Sequence, residues 1–67
     1  MLKINTLMNL MVASGAKEPL VINNYDGRGH FVSIPMELFD NYRNEVGEWN
    51  VTSICTINNA LNVDVEK

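Results

Sequence analysis

Cysteine and histidine are scarce in this chain. Its 67 residues include one cysteine, Cys55, and one histidine, His30. A lone cysteine cannot form a disulfide within the chain, and the two residues together supply too few ligands for a structural zinc site. We therefore expect a protein of the cytoplasm that holds no metal and no cofactor.

Positive charge and long apolar runs are scarce as well. Only five residues are lysine or arginine, and the formal net charge is -3. Because nucleic-acid binding depends on cations that meet phosphates, this balance argues against direct binding of DNA or RNA. No apolar run reaches the roughly 18 residues of a membrane span, and polar residues interrupt the N-terminal segment where a signal peptide is apolar. We therefore expect no membrane association.

Motifs of catalysis and nucleotide binding are incomplete. The segment "GRGH", residues 27–30, lacks the third glycine of a dinucleotide fingerprint, and no Walker lysine lies near it. Asp26 and His30 resemble half of a catalytic pair, but the hairpin predicted around them places them on opposite sides of a bend. Cys55 is expected to be a buried or half-buried structural residue, since a thin domain offers no cleft for a Cys–His site. The chain is therefore predicted not to be an enzyme.

What the chain does contain is the composition of a folded protein. Hydrophobic residues make up 46% and charged residues 19%, which is typical of a globular domain. We expect one domain over residues 1–67. A domain of this size has a small core, so burial against a partner or a second copy would add to its stability.

The apolar residues near the N-terminus are spaced for a short amphipathic helix. Asn5 or Thr6 is its expected N-cap, and Gly15 is its expected C-terminal stop. Methionines at this spacing could form a flexible binding groove, but filling of the core is the favoured interpretation. The residues predicted to face the core are Ile4, Leu7, Met8, Met11 and Val12.

A hairpin is predicted between Pro19 and Pro35. Its turn has Asn24 first, Asp26 third and Gly27 fourth, as in a type I turn that is followed by a left-handed glycine. This turn sets a register in which one side is wholly apolar. That side consists of Leu20, Ile22, Val32 and Ile34, and the opposite side consists of Val21, Asn23, Phe31 and Ser33.

The second half of the chain again has the order of a helix and a hairpin. Pro35 suits the start of the helix, and Gly47 suits its end. The segments "EWNVTSICTI" and "ALNVDVE" predict two strands, joined by a turn at Asn58 and Asn59. The residues predicted to face the core are Leu38, Phe39, Tyr42 and Val46 of the helix and Leu61, Val63 and Val65 of the last strand.

The element order αββαββ predicts an α+β fold, in which a four-stranded, mainly antiparallel sheet has two short helices on one face. The other sheet face is then open, and an apolar open face in a small protein tends to be an interface. We expect Val21 and Phe31 on this face, joined by Tyr25, Trp49 and Val51. For Tyr25 and Trp49, a place at the edge of the core is an equal alternative.

An acidic and amide-rich strip is predicted along the exposed side of the second helix. Carboxylates at helical spacing can meet a basic groove, including one that holds nucleic-acid phosphates. An ordinary solvated helix face is the alternative for each residue. The strip consists of Glu37, Asp40, Asn41, Asn44 and Glu48, and Asp64 and Glu66 of the last strand extend the negative surface.

Four segments together resemble small acidic proteins encoded by phages and prophages of low-GC Gram-positive bacteria. They are "INTLMNLM", "LVINNYDGRGHFVSIP", "ELFDNY" and "ALNVDVE". Such proteins commonly run from a short helix into an "I-x-x-Y-D-x-x-G" hairpin, then into "I-P-x-E-L" and further strands. The matching residues are Ile22, Tyr25, Asp26, Gly29, Ile34, Pro35, Glu37 and Leu38. The resemblance implies a host-takeover or anti-defence factor, and anti-CRISPR proteins that bind a Cas effector are among the options.

The leading hypothesis is a non-enzymatic phage-type protein that binds and inhibits a bacterial nucleic-acid-handling or defence protein. Anti-CRISPR action is its most specific form, and its place would be the cytoplasm of the bacterial host. The alternative is a small structural or regulatory homo-oligomer that associates through Val21 and Phe31 on the open sheet face. The residues predicted to bind the partner are Tyr25, Arg28, Glu37, Asp40, Asn44, Glu48 and Trp49.

Overall fold

Two helices and four strands make up the fold. The computed structural model describes all 67 residues. In chain order the elements are α1 (Ile4–Ala13), β1 (Leu20–Asn23), β2 (Phe31–Ile34), a 3₁₀ turn (Met36–Leu38), α2 (Phe39–Val46), β3 (Asn50–Ile57) and β4 (Ala60–Glu66). The predicted α+β class and the order αββαββ are confirmed.

The four strands form one mixed sheet in the order β2-β1-β4-β3. Both hairpin pairings are antiparallel, and the central pair of β1 and β4 is parallel. Because β2 and β3 lie at opposite edges, the connection through α2 crosses the sheet, and the second hairpin then returns β4 to the middle. Two strand edges therefore remain at the outside, one on β2 and one on β3.

The two faces of the first hairpin are those that its sequence predicts, but the loop between its strands, residues 24–30, is longer than the predicted turn. Leu20 lies opposite Ile34, and Ile22 lies opposite Val32. Leu20, Ile22 and Ile34 are fully buried under the helices. Since neighbouring residues of a strand point to opposite faces, Val21 and Phe31 lie on the uncovered face, as predicted.

The second hairpin also follows its predicted pattern. Asn58 and Asn59 have φ angles of 52° and 61°, and Ile57 and Ala60 pair on either side of them. Two left-handed residues in a two-residue loop are the mark of a type I′ turn, which matches the twist of the strands. Val63 is buried in the core, so the alternation predicted for the last strand is confirmed.

The start of α1 differs from the prediction. Asn5 and Thr6 lie inside the first helical turn, and the N-cap residue is Lys3, whose side chain makes no capping bond. The first two helical amides donate instead to the main-chain oxygens of Trp49 and Gly47, at 3.0 and 2.9 Å. Tertiary contacts therefore satisfy amides that a cap side chain would otherwise serve.

The end of α1 is a Schellman motif built on Gly15. Gly15 has a φ angle of 74°. Its N–H donates to the oxygen of Val12 at 3.2 Å, and the Ala16 N–H donates to the oxygen of Met11 at 3.1 Å. Gly15 is thus the predicted stop. Val12 is 54% exposed, however, so its predicted place in the core is wrong; it lies at the margin of the apolar stripe.

The helix α2 packs by fewer residues than predicted. Phe39 and Val46 are buried, Tyr42 is half-buried, and Leu38 is 38% exposed. Gly47 follows the helix with a helical φ of -59°. A Cβ added to Gly47 would lie 2.5 Å from the side-chain amide of Asn5. Glycine at this position therefore permits the close approach of the two helices.

Candidate protein-interaction surfaces

One face of the sheet carries no helix, and we call it the open face. The strand registers place alternate residues of all four strands on it. Its charged residues are two carboxylates, and it has no lysine or arginine. The open face consists of Val21, Asn23, Phe31, Ser33, Ser53, Cys55, Ile57, Ala60, Asn62, Asp64 and Glu66.

A shallow apolar depression of about 270 Å³ lies on the open face. Its apolar part is formed by Val21, Phe31, Ile57 and Ala60, and amide side chains surround it. Phe31 is 65% exposed. An apolar centre with a polar rim is the usual composition of a protein interface.

The depression joins both hairpins. Val21 and Phe31, the two residues predicted for self-association, lie together in it. Ile57 and Ala60 were not predicted as part of this surface. Their place follows from the turn between them, because the pairing of Ile57 with Ala60 puts both on the same face.

Three further residues that we expected on the open face do not belong to it. Val51 is 9% exposed and belongs to the core. Tyr25 and Trp49 are half-buried and pack against the core. The ammonium of Lys67 lies 4.5 Å from the centre of the Trp49 ring, in a cation–π contact. Both aromatic rings therefore already take part in contacts within the chain.

The loop of residues 24–30 is closed by its own side chains. The Gly27 N–H donates to the Asn24 oxygen at 3.1 Å, which is the predicted turn. The side-chain oxygen of Asn24 accepts the Gly29 N–H at 2.7 Å, and Asp26 Oδ1 accepts the Arg28 N–H at 2.8 Å. These bonds occupy amides that would otherwise be free to bind an anion, and they hold the loop closed on itself.

Asp26 and His30 are in contact, so the prediction that a bend separates them is wrong. His30 Nδ1 bonds to Asp26 Oδ2. The loop has seven residues, and Asn24 and Gly29 are left-handed as well as Gly27, so the chain folds back on itself. The bond to His30, followed by the one from the Arg28 amide, lowers the pKa of Asp26. His30 lies in the loop and not on a strand.

The acidic strip on α2 is exposed, and part of its charge is compensated. Asp40 Oδ1 accepts a bond from Arg43 Nε at 2.7 Å, and Arg43 Nη1 donates to Asn5 Oδ1 at 3.3 Å. The ammonium of Lys3 lies against the Glu48 main-chain oxygen at 3.1 Å. Two cations therefore reduce the negative potential that the sequence suggests for this surface. The remaining predicted members, Glu37, Asn41 and Asn44, are exposed and reach into solvent.

The candidate surfaces lie on different sides of the molecule. The helices cover the face that carries Leu20 and Ile22, so the acidic strip and the open face lie on opposite sides of the sheet. Arg28 is exposed in the hairpin loop beyond the ends of β1 and β2. One flat partner surface can therefore contact the strip or the open face, but not both.

A second and larger depression, of about 480 Å³, lies at another place. It is lined by Lys17, Glu18, Pro19, Thr56 and Asn59. Its two charges are opposite and neighbours in the chain, and no apolar side chain of the core or open face reaches it. We prefer the smaller depression as the candidate because its centre is apolar.

Cys55 is exposed on the open face, so its predicted burial is wrong. Its strand, β3, lies at the sheet edge, where β4 is its only neighbouring strand and no helix covers this face.

No group of three His, Cys, Asp or Glu side chains is placed to share a metal ion. Neither helix has the length and apolar character that crossing a membrane would require.

Comparisons of the chain with protein-family models, with characterised proteins and with solved structures found no match.

Proposed function

We propose that this chain is a non-enzymatic protein of the phage type that binds and inhibits a bacterial nucleic-acid-handling or defence protein. Anti-CRISPR action is the most specific form of this proposal. The partner contacts the open face. The observation that carries the proposal is the apolar depression around Phe31, a large aromatic side chain that is 65% exposed.

The charges of the open face indicate what kind of partner fits. Asp64 and Glu66 are its only charged residues, and both are exposed. Ser53 Oγ donates to Asp64 Oδ2 at 2.6 Å, which fixes the direction of that carboxylate. A partner surface with an apolar group for the depression and lysines or arginines beside it is complementary. Proteins that hold nucleic-acid phosphates carry such basic surfaces.

The acidic strip is a weaker candidate for the same contact. Arg43 compensates Asp40 directly, and no exposed aromatic residue lies on α2 to act as an anchor. Interfaces usually derive most of their affinity from a few buried aromatic or apolar anchors, whereas exposed charges mainly affect the association rate. The strip would then guide the approach of a basic partner.

The alternative, a homo-oligomer through Val21 and Phe31, rests on the same depression. Two open faces packed against each other would place four carboxylates, Asp64 and Glu66 of each copy, in one interface that has no lysine or arginine to pair with them. Like charges across an interface are destabilising. A basic partner avoids this repulsion, and we therefore prefer it to face-to-face association.

The proposal can be tested with immobilised chain and a lysate of a low-GC Gram-positive bacterium. The retained protein is identified by mass spectrometry, and its affinity for a DNA duplex is measured by fluorescence anisotropy with and without the chain. We expect the chain to lower this affinity. A retained protein whose nucleic-acid binding is unchanged at saturating chain would contradict the inhibitory function.

Three variants locate the interface. Phe31→Glu should abolish retention, because it places a charge in the apolar centre. Val12→Glu is the matched control, since Val12 is similarly exposed at 54% but lies on α1; it should retain the partner. The double charge reversal, Asp40→Lys with Glu48→Lys, should slow the association of the partner, but the partner should still be retained. If the double reversal abolishes retention and Phe31→Glu does not, the partner binds the strip and not the open face.

A further inference from the structure

The outer edge of β3 has no partner along most of its length. β3 pairs with β4 on one side. On the other side the N-terminal segment covers only the beginning, where Lys3 bridges to Asn50 and the Val51 N–H donates to the Leu2 oxygen at 2.7 Å. All residues from 52 to 57 are exposed. A free edge of this kind is a template for pairing with another strand, and proteins limit such pairing with charge, proline or bulges.

The free edge has a regular stretch of five residues. The register shifts between Val51 and Ser53, which marks a bulge, and the type I′ turn begins after Ile57. The stretch Ser53–Ile57 between them contains no charged residue and no proline. It contains Ile54 and Ile57, each with a side chain that is 49% exposed.

The direction of the main-chain groups follows from the turn. Ile57 and Ala60 close a two-residue hairpin loop, and such a closing pair is hydrogen-bonded between its own strands. The direction alternates along a strand. Cys55 therefore also directs its N–H and C=O to β4, whereas Ile54 and Thr56 direct theirs to the free edge.

We propose that two copies of the chain pair antiparallel along β3 and form a continuous eight-stranded sheet with a two-fold axis at Cys55. In this register Ile54 of one copy lies opposite Thr56 of the other, and the main-chain N–H and C=O groups that these two residues direct to the free edge bond to each other. Cys55 then lies opposite its own copy in a pair without hydrogen bonds. A shift by two residues in either direction would bring the bulge or the turn into the pairing.

Two properties of the edge favour a second copy as the partner. The stretch is complementary to itself in this register, because it places β-branched Ile54 beside Thr56 and Ile57 opposite the small Ser53. The strand pair also contains no charge, so two chains that each have a net charge of -3 do not place like charges opposite each other within it. The half-exposed isoleucines become more buried in the pair.

The pairing is independent of the proposed function and extends it. A two-fold axis perpendicular to the sheet leaves both open faces on the same side. The dimer therefore presents two Phe31 depressions in one direction. The contact itself is small, five residues from each copy, so we expect a dissociation constant on the order of 0.1 mM, which is typical of weak interfaces below standard size.

Oxidative cross-linking tests the register. Copper(II) phenanthroline serves as the oxidant, with two copper ions that accept one electron each. The Cys55 thiols of paired chains should lose their protons to the buffer and form a disulfide rapidly. The control is Cys55→Ser with Ser53→Cys, a cysteine on the same face whose copies would lie about 13 Å apart along the strand, beyond the reach of a disulfide. This control variant should cross-link poorly alone. It should cross-link readily when it is mixed with a second double variant, Cys55→Ser with Ile57→Cys, because residue 53 of one copy lies opposite residue 57 of the other.

Sedimentation equilibrium of the reduced protein tests the pairing without a disulfide. The weight-average mass should rise from 7.6 kDa towards twice that value between about 10 µM and about 1 mM. Ile54→Lys should remain monomeric with an unchanged circular dichroism spectrum, since the lysine lies at the free edge. A wild-type chain that stays monomeric at the highest concentration would overturn the proposal and leave the edge to a strand of another protein. Equally fast cross-linking of the Ser53→Cys control alone would overturn the register.

Discussion

Replacement of Gly47 by alanine tests the docking of α1 on the end of α2, because two effects predict opposite signs. The φ angle of -59° is allowed for alanine, and at such a position the exchange ordinarily stabilises by about 0.4–1 kcal/mol. The close approach predicts destabilisation. The new Cβ would lie 2.5 Å from the Asn5 side chain and 2.4 Å from the Arg43 oxygen, both well inside van der Waals contact.

The crowding should outweigh the backbone gain. The helix α1 cannot move away without loss of the bond from the Asn5 N–H to the Gly47 oxygen, 2.9 Å long. Overpacking costs about 1–3 kcal/mol, so the net loss of unfolding free energy should be about 1–2 kcal/mol. In a domain of this size, that corresponds to a melting temperature lower by about 4–16 °C.

Urea unfolding followed by circular dichroism measures this loss. Asn5→Ala serves as the second arm of a double-mutant cycle, because it removes one of the two crowding groups. Gly47→Ala should cost at least about 0.5 kcal/mol less in that background. The reasoning fails if Gly47→Ala stabilises the wild-type chain, or if the two substitutions are additive.

Three further substitutions test local features. The bond from His30 holds the pKa of Asp26 below its ordinary value of 3.8, so the stability from this bond is present above 3.8 and is lost as the pH falls through the lower folded value. Urea midpoints should therefore fall more for wild type than for Asp26→Asn between about pH 5 and pH 2; equal falls would contradict the role of the bond. Gly15→Ala should lower the unfolding free energy by about 1 kcal/mol from its positive φ alone, since nothing lies within 4 Å of the added Cβ, and an unchanged urea midpoint would contradict this. Asn59→Gly should raise the thermal midpoint, because Asn-Gly is the preferred type I′ pair; a lower midpoint would argue against that turn.

The sequence predicts those parts of the fold that local signals determine. In both hairpins the alternation of apolar side chains acts over a few neighbouring positions and assigns Ile22 and Val63 to the core face. In the second hairpin the turn residues Asn58 and Asn59 also set the register. Gly15 ends α1 for a local reason as well. The placement of Val21 and Phe31 on the open face follows from register, which is why this part of the candidate site was predictable.

The remaining features depend on contacts between distant segments. Lys3 precedes α1 because the main-chain oxygens of Trp49 and Gly47, 45 and 42 positions further along the chain, accept the bonds of its first two amides, and no local pattern encodes that contact. The parallel pairing of β1 with β4 sets β3 at an edge, and only this order exposes Cys55. Val51 is buried because the helices extend over its face. Asp26 contacts His30 because the loop folds back on itself over seven residues. The shorter turn that the sequence predicts would keep the two side chains apart.

The most direct test of the open face as the binding surface is a calorimetric titration of the retained bacterial protein into wild type, Phe31→Glu and Val12→Glu. The partner should bind wild type and Val12→Glu with equal affinity and Phe31→Glu at least about tenfold more weakly, a loss of about 1.4 kcal/mol or more. Equal affinity for all three would contradict the proposed interface.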